Sequence, residues 1–265
     1  MPRVMKPSPR GPLSLEECIE RIDASGFDPV DEFSLANAAD ALAGLAANRS
    51  FLADLLIEHL ASHGDVNKTT AYGPQAIMLA RPRNGYFLRA NIWPARDDPV
   101  YRSSGPASFV YGLPHDHNFD FLTVGHFGPG YVSDYWEYEY EAVEGLPGEP
   151  VDLRFVETSR LSEGRVLHYR AHRDVHRQHP PESLSVSLNI CAANPAQGWF
   201  DQYCFEPPEG SGEGRIARVL NASANEVMLR LAAALGNRDA HDLAGCFAAD
   251  HPSAALRRVA AELAG

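Results

Sequence analysis

Hydrophobic and polar positions recur with two different periods along this chain. From Ser14 the stretch SLEECIERIDASG sets a Ser cap before acidic residues and stops at Gly26, which predicts a short helix. Residues 34 to 64 are rich in Ala and Leu, with Leu52, Leu55, Leu56 and Leu60 at helical spacing and Gly64 as a stop. After about residue 70 the period shortens to two. YFLRANIW (86 to 93), DFLTVGHF (120 to 127), YVSDYWEYEYEAV (131 to 143), GRVLHYRAH (164 to 172) and SLSVSLNICAA (183 to 193) alternate as strands and are broken by Pro, Gly, Asp and Asn. Beyond the turn-rich EPPEGSGEG the helical period returns in RIARVLNASANEVMLRLAAALG, HDLAGCFAAD and PSAALRRVAAELAG. The division expected is a loose tail over 1–12, a helical segment over 13–66, a β-barrel over 67–206 and a helical segment over 207–265. The helical ends either pack on the barrel or meet a neighbouring subunit, which leaves a homodimer open.

Composition removes several functions. The chain has 265 residues, 45% hydrophobic and 22% charged, enough for one well-packed core. A formal charge of -12 argues against nucleic acid as a partner, because such binding draws on clustered Lys and Arg. No apolar run approaches the ~20 residues that span a bilayer, so membrane insertion is not expected. The basic start MPRVMKPSPRGP lacks the apolar stretch of a secretory signal, and the four scattered cysteines form no C-x-x-C pattern. A cytoplasmic protein with reduced thiols is the expectation. A Gly-rich phosphate loop, a Ser nucleophile elbow and a Cys-His pair are not found.

Seven of the eleven histidines lie between residues 115 and 179. In LPHDHNFDFLTVGHFGPG (113 to 130), His115 and His117 project from one face of an extended segment, close enough to share a metal ion, while Asp116 points to the opposite face. Two imidazoles make a weak site; His176, in RAHRDVHRQHPPESLSVSLNI, offers a third.

These residues resemble the cupin barrel, whose first motif is H-x-H on one strand and whose second supplies a lone His near a later hairpin. Within cupins the sequence is most similar to thiol dioxygenases of the cysteine dioxygenase type, in which the pair reads H-D-H and the third histidine is followed by Arg, as in His176-Arg177. The resemblance covers about residues 84 to 192. It implies a mainly β fold, a cupin-type double-stranded β-helix (jelly-roll) barrel with helical N- and C-terminal extensions, and Fe(II) at His115, His117 and His176, with Mn, Ni, Cu or Zn as other occupants. Where many cupins place a Glu ligand five residues after the second His, this chain has Leu122. The open positions that result suit O2 and substrate at the metal. That family's His and Tyr on the last strand are replaced by Asn189 and Cys191, which disfavours cysteine itself as substrate.

Around the metal, His126 shares the parity of Leu122 and is a candidate base or alternative ligand. Ser183, Ser185, Ser187, Asn189 and Cys191 share one strand face, either lining a polar cavity or facing solvent. Asn189 is a candidate catalytic residue, and Ser187 and Cys191 are candidate substrate contacts. Arg89 is the candidate partner of an acidic substrate group; Tyr86 and Trp93 are candidate walls. Val132, Asp134, Trp136, Tyr138 and Tyr140 read as a core face, and Glu137, Glu139 and Glu141 as a solvated one. The expected function is O2-dependent oxidation of a small or peptide-borne polar substrate. A 2-oxoglutarate-dependent hydroxylase, a metal-dependent isomerase or lyase, and a non-catalytic ligand-binding cupin are the alternatives.

Overall fold

From residue 185 to residue 192 the side chains alternate between two different interiors. Val186, Leu188 and Ile190 enter a core shared with helices, whereas Ser187, Asn189 and Cys191 face the inside of a barrel. The computed structural model describes all residues except 1, 10, 62–74, 209–212, 222–223 and 265. Its strands are β1 (Arg3–Met5), β2 (Ala76–Arg83), β3 (Tyr86–Trp93), β4 (Phe121–Phe127), β5 (Val132–Glu137), β6 (Pro150–Val151), β7 (Arg154–Arg160), β8 (Val166–Tyr169), β9 (Asp174–Gln178), β10 (Ser185–Ala192), β11 (Tyr203–Glu206) and β12 (Gly214–Val219). Its helices are α1 (Leu15–Ser25), α2 (Glu32–Ala47), α3 (Phe51–Ala61), α4 (Pro99–Ser104), α5 (Ala224–Ala234), α6 (Arg238–Asp250) and α7 (Ala254–Ala264).

One antiparallel sheet has the order β1-β8-β4-β10-β3-β2, and facing it are β7-β5-β9 and β11-β12-β6. Residues 112–116 join the last two. Gly112 N–H donates to Gln178 O, His115 and His176 exchange backbone bonds at 2.9 and 3.0 Å, and Phe205 N–H donates to Pro114 O. With that segment counted as a strand, the two central layers are β8-β4-β10-β3 and β7-β5-β9-(112–116), the strand order of a jelly roll. The fold is the cupin-type barrel expected, mainly β with helices at both ends.

Leu35, Leu42 and Leu45 of α2 bury against Leu88, Leu122, Leu188 and Ile190 on the outer face of the larger sheet, each contributing roughly 1.5–3 kcal/mol. A capping box between Ser14 and Glu17 starts α1, and Asp31 caps α2. Asn48 separates α2 from α3: its side-chain oxygen accepts from Ser50 N–H and Phe51 N–H and so caps the next helix. The expected stop at Gly64 and the boundary at 66 lie outside the described residues.

Three expectations need correction. Residues 3–5 are not a loose tail but an edge strand antiparallel to β8, held by Arg3 bound through two 2.8 Å contacts to Glu32. Gly214–Val219, read as helical, is a strand paired with β11 and β6, because RIARV fits a half-buried strand once Ile216 has the core beside Phe205 to enter. Glu137 is not solvated; it is 14% exposed and ion-paired with Arg154, Arg170 and Arg173. Among the described residues no helix is long and apolar enough to cross a membrane.

Candidate metal centre

The backbone bonds between His115 and His176 bring strand segments from both halves of the chain into register, and the three imidazoles converge there. His117 Nε2 lies 3.0 Å from His176 Nε2, which lies 3.2 Å from His115 Nε2. All three ligand atoms fall within 4.8 Å of one another. Burial disfavours the charged rings: His115 is lowered to about 4, and His117 and His176 lie well below their ordinary value. Neutral imidazoles with bare Nε2 lone pairs are what a divalent metal takes. His115 Nδ1 sits 2.8 Å from Leu113 O, which fixes Nδ1 as the donor and leaves Nε2 free. The Nδ1 atoms of His117 and His176 have no hydrogen-bond partner among the described residues. The donor set fits a metal with three protein ligands.

Asp116 points away from this cluster, as its position between the histidines requires, and is fully buried. Tyr138 donates to its Oδ2 at 2.6 Å and Tyr203 N–H to its Oδ1 at 2.6 Å. Desolvation pushes its carboxyl up to about 7. The carboxyl thus pins the His115–His117 segment to β11 and to the end of β5. On the other side, the ring of Tyr169 lies 4.9 Å from that of His176 and stacks on Phe121 at 4.3 Å, and its hydroxyl meets that of Tyr135 at 3.0 Å.

The cluster opens on a cavity of about 420 Å³, a size suited to a small molecule. Arg89 and Asn189, which are cross-strand neighbours, both line it. Trp93 lines it as well, with its Nε1–H bound to Ser187 Oγ at 2.9 Å. Among the described residues Arg89 is the single Asp, Glu, Lys or Arg of the lining. Sequence reading passed over Phe121, Asn91, Gln178 and Gln202, all of which line the cavity. The parity of Arg89 would have found Asn91, and that of His176 would have found Gln178.

Four candidates do not line it. His126 faces α2 and α3: its Nδ1 meets Ala46 O at 3.0 Å and its ring packs on Phe51. Leu122 lies in the same helix-facing core, and Phe121 takes the cavity side instead. Period two from His117 runs through Phe119 to Phe121, which line the cavity, so the family's five-residue spacing to Leu122 lands on the opposite face, and His126 shares it. Tyr86 also faces the helices, donating to Asp23 Oδ1 at 2.9 Å. Ser187 is consumed in holding Trp93, and Cys191 is sealed among Phe87, Phe121 and other aromatic neighbours, where burial pushes its thiol up.

No family model matches the chain, and no curated protein does. Among solved structures it is similar to procruciferin, an 11S globulin from Brassica napus, with TM-score 0.30 and 10% identity over 48% of this chain and 28% of that one. The DMSP lyase DddQ from Ruegeria pomeroyi DSS-3 gives TM-score 0.28 and 12% identity over 73% and 79%. A cupin domain from Bordetella pertussis Tohama I gives 0.25 and 16% over 46% and 96%. The fold assignment rests on strand order and register: this is a cupin-type jelly roll carrying a three-histidine cluster suited to a metal ion.

Proposed function

We propose that this protein is a metal-dependent oxygenase that oxidises a small or peptide-borne polar substrate with O2 at Fe(II) held by His115, His117 and His176. Within cupins this reading is nearest to the thiol dioxygenases. The observation that carries it is the convergence of three neutral Nε2 atoms at a cavity wall where an aromatic ring, Phe121, stands in place of a fourth protein ligand. Ferrous iron there would supply the redox chemistry that couples O2 to substrate oxidation.

The chain's own residues do the rest. Burial keeps the three imidazoles unprotonated at neutral pH. Arg89 offers a guanidinium to an anionic substrate group, and Asn189 beside it orients that group by hydrogen bonding. Phe119, Phe121, Trp93 and Tyr131 line the same space with aromatic surface and restrict water.

The test is metal content by inductively coupled plasma mass spectrometry for wild type and His117→Ala, purified without chelator or affinity nickel, followed by oxygen uptake with a panel of small acids. Near-stoichiometric iron lost in the variant, with substrate-dependent oxygen uptake, is expected. Product formed without O2 would move the reading to an isomerase or lyase. Failure to take up Fe(II) anaerobically would remove it.

A further inference from the structure

Residues that line the cavity carry buried polar atoms left unsatisfied among the described residues. Asn91 Oδ1 and Gln178 Oε1 are buried without a hydrogen-bond partner among the described residues, as is Arg89 Nε. Asn91 is 7% exposed and Gln178 5%, and both line the space in front of the histidines. They come from facing layers, Asn91 from β3 and Gln178 from β9, so they flank the space from opposite sides. Nearby polar groups do not serve them: Ser187 is engaged with Trp93 and Asn189, and Tyr135 with Tyr169. An unpaired buried amide oxygen carries a desolvation cost that an apolar side chain of the same shape avoids. Two such oxygens at one cavity are what a bound molecule with hydrogen-bond donors would satisfy.

We propose that Asn91 and Gln178 are specificity residues that select a small carboxylate bearing hydroxyl or N–H donors. The proposal rests on the reading of this cavity as the substrate site. Arg89 presents donors to the carboxylate, and the two amides turn their shielded oxygens toward the remainder of the molecule and accept from it. A site built to pair with a substrate hydroxyl discriminates strongly against the analogue without one, because its own groups are then left unpaired.

Asn91→Leu and Gln178→Met remove the acceptors at nearly constant shape. In thermal melts without added ligand, each is expected to melt higher than wild type by about 2–4 °C. A lower melting temperature would show that the amides hold the fold, and would overturn the proposal. In calorimetric titrations with lactate and 2-methoxypropanoate, wild type is expected to bind the hydroxy acid at least about tenfold tighter, and either variant to lose that preference. Equal binding of the two acids, or binding of neither, overturns it. Metal content measured on the same samples separates the two ideas. Unchanged metal with no donor preference removes the specificity role alone, whereas absence of metal with the preference intact removes the oxygenase reading alone.

Discussion

The ring of Phe121 stands edge-on to the imidazole of His117, with centroids 4.9 Å apart and planes at 84°. An apolar edge therefore occupies ground beside the histidine cluster that a carboxylate could share.

Phe121→Glu should convert the site to four protein ligands. The metal-free variant should lose about 3–5 kcal/mol of stability, from lost aromatic packing and a buried carboxyl. Once loaded, it should hold metal at least about tenfold more tightly than wild type, since affinity rises with ligand charge. Thermal melts with and without metal, and competition with a chelator, check this. A variant equally stable in both states and no tighter in metal binding would show that residue 121 does not face the site.

Acid should destabilise the metal-free protein in a defined window. His115 and His172 are lowered by burial to about 4, and His117 and His176 well below the ordinary 6.5. Between pH 6.5 and 4 the unfolded chain binds protons that the folded chain refuses. Stability is thus full above 6.5 and falls as pH drops, by about 1.4 kcal/mol per pH unit per histidine. Asp116 has the opposite sign: raised from 3.8 to about 7, it favours the folded state progressively as pH falls through that interval. Asp116→Asn should therefore steepen the acid loss by about 1.4 kcal/mol per pH unit. Denaturant melts at half-unit steps from pH 7 to 4.5 read both slopes, and equal slopes in the two proteins would refute the assignment to Asp116.

Removing residues 2–9 should lower stability by about 1–3 kcal/mol while leaving metal content unchanged. The deletion strips β1 from the edge of β8 and takes away the Arg3–Glu32 pair and the bond from Ser8 N–H to Asp40. A loose tail would give identical melts.

Much of this organisation was legible in the sequence. Aromatic and β-branched alternation marked β3, β4, β5 and β10, since a strand whose two faces meet surroundings of different polarity must alternate. The histidine triad was legible for the same reason: period two aligns His115 with His117, and the H-R context drew attention to His176. The family's ligand spacing failed where strand parity alone would have held. The position of Leu122 was taken from the family's Glu spacing, whereas period two from His117 leads through Phe119 to Phe121 in the cavity and leaves Leu122 and His126 facing the helices. Tyr86 failed differently: its own strand was found, but the side of that strand facing the helices is decided by α1 and α2, far away in sequence. Asn91 and Gln178 were passed over because an amide carries no chemical signature until its surroundings withhold partners. The edge strand β1 hid in a basic, proline-containing start, and β12 in a run whose apolar spacing suits helix and strand alike.

The two interiors served by alternate residues of β10 have a consequence for how this protein can change. Odd positions such as 187, 189 and 191 address the barrel, while 186, 188 and 190 hold the helices to the sheet. A mutational library confined to Arg89, Asn91 and Asn189, the polar odd positions of β3 and β10 that line the cavity, would explore new ligand preferences with little drain on folding. The same number of changes in the even set would exhaust stability before reaching any new chemistry. Within one strand, the capacity to evolve and the capacity to fold are interleaved residue by residue.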